Sequence, residues 1–168
     1  MKRAFVCSDS HGDEAGLRRL LRYAWRDGLP VGLYIHLGDG ADDFAAVDGM
    51  IWERDPGSLR LKIRGNMDFG CYDAAEWMTQ PFGGHLLFLT HGNRHGVKRL
   101  DYSVLTYAAQ EKGCDAALFG HTHRAFIGTM DGVLLVNPGS VRDSGTLAVL
   151  EEDGAGRLTA RQIRLPDR

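Results

Sequence analysis

Ala4-Phe5-Val6-Cys7-Ser8-Asp9-Ser10-His11-Gly12 sets four apolar residues directly against a turn of hydroxyl, carboxylate, imidazole and glycine. An uninterrupted apolar run of strand length that ends in such a turn reads as a strand buried on both faces. The same form recurs along the chain. Residues 33–37 run into Gly38-Asp39-Gly40, and residues 59–64 into Gly65-Asn66-Met67-Asp68. Residues 86–89 run into Thr90-His91-Gly92, 116–119 into Gly120-His121-Thr122-His123, and 133–136 into Asn137-Pro138-Gly139-Ser140. Ligands of open α/β sheets gather where strands end at their carboxyl edge, so these turns are expected to converge on one rim.

Between the first two strands, Leu17, Leu20, Leu21, Ala24 and Trp25 recur at helical spacing, with Asp13 as N-cap and Gly28 near the end. A second helix is expected over 102–112, capped by Asp101, with Val104, Leu105 and Ala108 inward and Gly113 as terminator. A shorter one is expected over 42–50. Gly83-Gly84 and Asp131-Gly132 each join two strand-like runs as hairpin turns, and residues 146–150 and 157–165 flank a third turn at 153–156. Alternating strands and helices followed by consecutive strands predict an α/β fold: a four-layer α/β/β/α sandwich of two mixed sheets with helices outside. No repeat or linker interrupts residues 1–168, which read as a single domain.

The chain has 168 residues, 43% of them hydrophobic, and a formal charge of −2. That is enough apolar material for a core, and a balance that argues against a duplex nucleic acid or anionic membrane partner. No apolar run approaches the ~20 residues of a membrane span, and no signal peptide is evident. Cys7, Cys71 and Cys114 make neither a disulfide framework nor a metal knuckle, so a cytoplasmic address is expected. Glycine is the outlier: its 22 residues are about twice the usual ~7% share, consistent with many tight turns.

The strand-end residues Asp9, His11, Asp39, Asn66, His91, His121 and His123 offer carboxylate, amide and imidazole groups without thiolate. Mixed oxygen and nitrogen donors suit Mn, Fe, Ni or Zn rather than calcium or an iron–sulfur cluster. Seven donors exceed one tetrahedral ion and suit two ions sharing a carboxylate, which can clamp the attacking and leaving oxygens of an in-line displacement. Two divalent ions less two carboxylates and a bridging hydroxide leave about +1, favouring an anionic phosphoryl group.

Asp-x-His, Gly-Asp, Gly-Asn, His-Gly and Gly-His-x-His, in that order, resemble the calcineurin-like metallophosphoesterases over residues 4 to about 150. The Gly-Asn-x-Asp form and the Asn-Pro-Gly-Ser turn are most similar to the small bacterial and archaeal phosphodiesterases of that superfamily. The resemblance implies that Asp9, His11 and His123 hold one metal, that Asn66, His91 and His121 hold the other, and that Asp39 bridges them. It implies a phosphodiesterase attacking a small or exposed phosphodiester through a metal-bridging hydroxide, with Asn66 stabilising charge on phosphorus. Manganese is among the metals expected. The alternatives are a non-catalytic scaffold on the same fold, as in the small scaffold subunit of retromer, and a phosphomonoesterase. A homo-oligomer is compatible with either.

Two positions depart from the pattern. Many members carry His after Gly-Asn as a proton donor, where this chain has Met67, whose thioether cannot donate. His91-Gly92-Asn93 stands where small members often show His-Gly-His. Around the site, Asp68 is expected as a catalytic or supporting carboxylate and Arg94 and His95 as substrate contacts; a solvated loop is the simpler reading of that basic stretch. His36 reads as a core histidine and His85 as solvent-facing. Trp52, Trp77 and Phe82 are expected in core or subunit packing, and Cys71 near the site without a nucleophilic role.

Overall fold

The computed structural model describes residues 1–166. One sheet has the order β10-β9-β1-β2-β3, formed by β1 (Lys2–Cys7), β2 (Leu33–His36), β3 (Leu59–Lys62), β9 (Thr146–Glu152) and β10 (Leu158–Arg164). The other has the order β4-β5-β6-β8-β7, formed by β4 (Trp77–Phe82), β5 (His85–Thr90), β6 (Ala116–Leu118), β7 (Ala125–Met130) and β8 (Val133–Pro138). β1, β2 and β3 are mutually parallel, as are β5, β6 and β8, and each sheet is extended by antiparallel hairpin partners.

The period-2 alternation of a strand explains the layering. Ala4 and Val6 of β1 point between the sheets, where they join Leu33, Ile35, Leu87, Leu89, Leu118 and Val136. Phe5 and Cys7 point the other way, onto Leu17, Leu20, Leu21 and Ala24 of α1 (Glu14–Ala24). In the second sheet Ala116 and Leu118 face inward, while Ala117 and Phe119 meet Leu105 and Ala109 of α4 (Ser103–Glu111). Central strands buried on both faces are what the continuous apolar runs encode. No helix among the described residues is long and apolar enough to cross a membrane.

Asp13 caps α1 as expected, accepting from the Gly16 amide at 2.8 Å. The helix expected over 42–50 is two, α2 (Ala41–Ala46) and α3 (Asp48–Arg54), hinged at the buried Val47. In α4 the buried stripe is shifted by one residue: Val104 is 56% exposed, while Thr106 is buried beside Leu105. Thr106 tolerates this because its hydroxyl donates to the Tyr102 carbonyl at 2.8 Å. The helix N-cap is Tyr102 rather than the expected Asp101, whose carboxylate, one residue earlier, accepts from Ser103 N and Oγ.

β3, expected as a buried strand, is an edge strand whose cationic residues pair outward, Arg60 with Asp48 at 2.5 Å and Lys62 with Asp73 at 2.6 Å. Charges of this kind blunt a free edge against unwanted pairing. His85 is largely covered rather than solvent-facing, its ring held between Asp115 (2.5 Å) and the Gly156 carbonyl (2.9 Å). Phe82 is in the core, whereas Trp52 and Trp77 are 57% and 46% exposed.

Candidate metal centre

The turns after β1, β2, β5 and β6 meet at one rim of the sandwich. Asp9 is fully buried there, its Oδ2 accepting from Ser8 Oγ at 2.6 Å and from the His121 amide at 3.0 Å. Its Oδ1 is buried and has no hydrogen-bond donor among the described residues. That oxygen faces His123 Nε2 at 3.2 Å and His11 Nε2 at 3.6 Å, and the two nitrogens are 3.2 Å apart. A second trio lies beside it: Asp39 Oδ2 is 3.2 Å from His91 Nε2, which is 3.2 Å from His121 Nδ1. Asp39 Oδ2 also lies 3.8 Å from His11 Nε2, linking the two trios.

These separations fit a pair of cation sites. Donors held at about 2.0–2.2 Å from one ion, at tetrahedral or octahedral angles, stand roughly 3–3.5 Å apart. Two imidazoles are oriented from behind. His91 Nδ1 donates to the Leu37 carbonyl at 2.8 Å, and His123 Nδ1 to Asp143 Oδ2 at 2.5 Å, which turns each Nε2 inward. An orphaned carboxylate oxygen and facing imidazole nitrogens, costly in a dry site, are the donor set a divalent cation satisfies.

The backbone is strained at the same place. Of the seven non-glycine residues with positive φ among the described residues, five are Asp9, His11, Asp39, His121 and His123. Left-handed backbone costs an L-residue about 1–2 kcal/mol and persists only where surrounding contacts enforce it. Two glycines permit the close approach. A Cβ at Gly65 would lie 2.2 Å from Asp39 Oδ1, and one at Gly120 would lie 2.1 Å from Ser8 Oγ. Asn137 braces the histidine turn by donating to the Gly120 carbonyl and Thr122 Oγ1, and Ser140 ties the Asp9 carbonyl at 2.8 Å.

Electrostatics divide the donors. Burial pushes the Asp9 carboxyl up, and burial pushes His121 down to about 4, keeping it neutral. Burial would also raise Asp39, but its contacts with His91 and the Met67 amide outweigh that and hold it low.

The other expected residues are placed in four different ways. Asn66, Asn93 and Arg94 are exposed and line one cleft beside the rim. Met67 is 53% exposed and borders a second cleft with His11 and Asp39, while its amide donates to Asp39 Oδ1 at 2.8 Å. Asp68 is not free to act on a substrate, because its carboxylate accepts four amides: Gly40 and Ala41 on Oδ1, Asp39 and Gly65 on Oδ2, at 2.7–3.0 Å. It is a positioning residue. His95, expected at the substrate, instead packs edge-on against Phe88 at 5.8 Å.

His36 is the core histidine expected, between Ser10 Oγ and the Gly38 amide. Cys71 borders the second cleft with its thiol donated to Asp73, and burial raises its pKa, away from nucleophilic use. Asp143, the partner of His123, was legible only as a capping pattern, Ser140-Val141-Arg142-Asp143, in which Ser140 Oγ accepts from the Asp143 amide.

Residues 1–154 match the calcineurin-like phosphoesterase superfamily domain. The chain belongs to that superfamily. Among curated relatives of this superfamily member is a probable metallophosphoesterase, YsnB, of Bacillus subtilis (strain 168); it is 32% identical, with 89% of this chain and 85% of that protein covered. Among solved structures, an archaeal phosphodiesterase aligns with a TM-score of 0.71 at 20% identity, covering 97% of this chain and 99% of that one. Vacuolar protein sorting 29 from Cryptosporidium parvum aligns equally, with a TM-score of 0.71 at 16% identity over 99% and 98% of the two chains. Both likenesses establish the shared four-layer fold.

Proposed function

We propose that this superfamily member is a phosphodiesterase that holds two divalent cations, one on Asp9, His11 and His123 and one on Asp39, His91 and His121, with Asp39 shared. The buried, donorless Asp9 Oδ1 facing two imidazole nitrogens, with Asp39 Oδ2 reaching both trios, carries this reading. Bound there, such ions supply Lewis acidity toward phosphoryl oxygens and lower the pKa of water to near neutrality. The protein's own contribution is placement: Asp143 and the Leu37 carbonyl orient imidazoles, and Asp68 fixes the Asp39 and Asn66 turns together. Asn66 presents a carboxamide beside the centre, suited to donate to a phosphoryl oxygen.

Clefts of about 420 and 440 Å³ open on either side of the 65–69 turn, both bordered by Asp68 and Phe69. A diester has two substituents to place and a monoester one, which favours the diester. The test is elemental analysis of protein loaded with Mn or Zn, together with hydrolysis of bis(p-nitrophenyl) phosphate and p-nitrophenyl phosphate. Two metals per chain and a diester kcat/KM at least about tenfold above the monoester are expected. Bound metal without turnover favours the scaffold reading, and monoester preference favours a phosphomonoesterase.

Met67 supplies a further prediction. With no proton donor there, poor leaving groups depart unaided. Met67→His is expected to raise kcat on an alkyl phosphodiester by about 10²-fold and on a p-nitrophenyl diester far less. Equal gains on both substrates exclude a missing proton donor at this position.

A further inference from the structure

Phe69 and Tyr72 are 81% and 86% exposed, although the turn that carries them is tied down through Asp68. Two large rings held mostly in water beside the candidate centre form a surface for something flat. They border the 420 Å³ cleft together with Arg64, Asn66, Asn93 and Arg94. In that cleft two guanidiniums converge on a single oxygen: Arg64 Nη2 and Arg94 Nη2 each lie 3.0 Å from Glu76 Oε1. Asp68 also borders this cleft, but its carboxylate is taken up by four backbone amides, so Glu76 is the carboxylate that faces the two guanidiniums, and Arg94 is 71% exposed. The opposite cleft carries Asp42 and Asp43 on its wall, with Arg142 as its cation. The two sides of the centre therefore differ: one adds the Tyr72 ring and a pair of guanidiniums to the shared Phe69, the other is predominantly acidic.

Resting on the phosphodiesterase reading, we infer that the Arg64–Arg94 cleft takes a nucleotide-like arm of the substrate. Its planar base stacks on Phe69 and Tyr72, and a phosphate other than the scissile one sits on the two guanidiniums. Stacking supplies sequence-tolerant affinity, since every base has a π-face. Planar guanidiniums suit the anion because they bind phosphate oxygens in pairs. The acidic wall opposite repels a second phosphate and so fixes which arm lies on which side.

The test uses three diesters with one leaving group, so that rates report the retained arm alone. They are methyl p-nitrophenyl phosphate, the p-nitrophenyl ester of thymidine 5′-phosphate, and that ester carrying a 3′-phosphate. In the metal-loaded protein kcat/KM is expected to rise about tenfold with the base and about tenfold again with the second phosphate. Phe69→Ala/Tyr72→Ala is expected to bring the first ratio toward one, and Arg94→Ala the second. Glu76→Gln is expected to raise the second ratio severalfold, a gain that general disruption does not produce.

Binding of thymidine 3′,5′-bisphosphate, followed by calorimetry, is expected to weaken about tenfold in Arg94→Ala. Equal rates on all three diesters overturn the cleft assignment and leave the phosphodiesterase standing. Absence of hydrolysis with Arg94-dependent binding of the bisphosphate keeps the cleft and overturns the phosphodiesterase. Binding unaltered by Arg94→Ala overturns the cleft whatever the rates.

Discussion

Asp39→Asn is expected to empty both cation sites at once and to lower phosphodiester turnover by about 10³-fold or more. The effect follows from the division of labour between the two oxygens. Oδ1 accepts from the Met67 amide at 2.8 Å, a bond a carboxamide oxygen preserves, so the turn stays in place. Oδ2 is the atom 3.2 Å from His91 Nε2 and 3.8 Å from His11 Nε2, and there the variant presents an NH₂ group with no lone pair to give. Asp9→Asn is the control, because its unpaired Oδ1 belongs to one trio only.

Elemental analysis after dialysis is therefore expected to find close to no metal on Asp39→Asn and about one ion per chain on Asp9→Asn. Thermal shift gives a second measure: Mn or Zn raises the melting temperature of the parent protein by mass action, and this rise is expected to vanish in Asp39→Asn. Two retained ions with full turnover in that variant eliminate the shared role of Asp39.

Most of the centre was legible because the donors stand in glycine-bearing turns at the ends of apolar runs, where strand and turn chemistry are both strong local signals. The alternation of Ala4 and Val6 against Phe5 and Cys7 is invisible as polarity, yet a run apolar at every position states that both faces are covered. The alternation Leu59-Arg60-Leu61-Lys62 was a local sign of the edge position of β3 that reading it as a buried strand passed over; which elements occupy the sheet beyond it completes the placement. The rest of what stayed hidden depends on tertiary neighbours. The Val104 and Thr106 positions in α4 were misread because a threonine that bonds its own helix carbonyl behaves as an apolar residue. His95 and Arg94 sit one residue apart in a basic loop, but one packs on Phe88 and the other meets Glu76, eighteen positions earlier in the chain.

Asp68 shows how far a supporting residue governs the site. Asp68→Asn is expected to destabilise the protein by roughly 3–5 kcal/mol, because whichever way the carboxamide lies, its NH₂ replaces an oxygen that accepts two amides and leaves both without a partner. For a chain of this size that corresponds to a fall in melting temperature of about 10 °C. The pH dependence has a definite sign. Burial opposes the Asp68 charge, but the four amides outweigh it and hold the carboxyl below its ordinary value. A carboxylate whose folded pKa is depressed contributes stability above its unfolded value, near 3.9, and loses it as pH falls through the folded value. The gap between parent and variant is thus expected to be full at neutral pH and to narrow below about pH 4, as denaturant melts across pH 3–7 would show. Turnover is expected to fall further than unfolding explains, since the amides of Asp39 and Gly65 share Asp68 Oδ2 and set where Asp39 and Asn66 stand. A variant as stable as the parent, or one whose deficit grows in acid, removes the four-amide clamp as the reason for the geometry of the site.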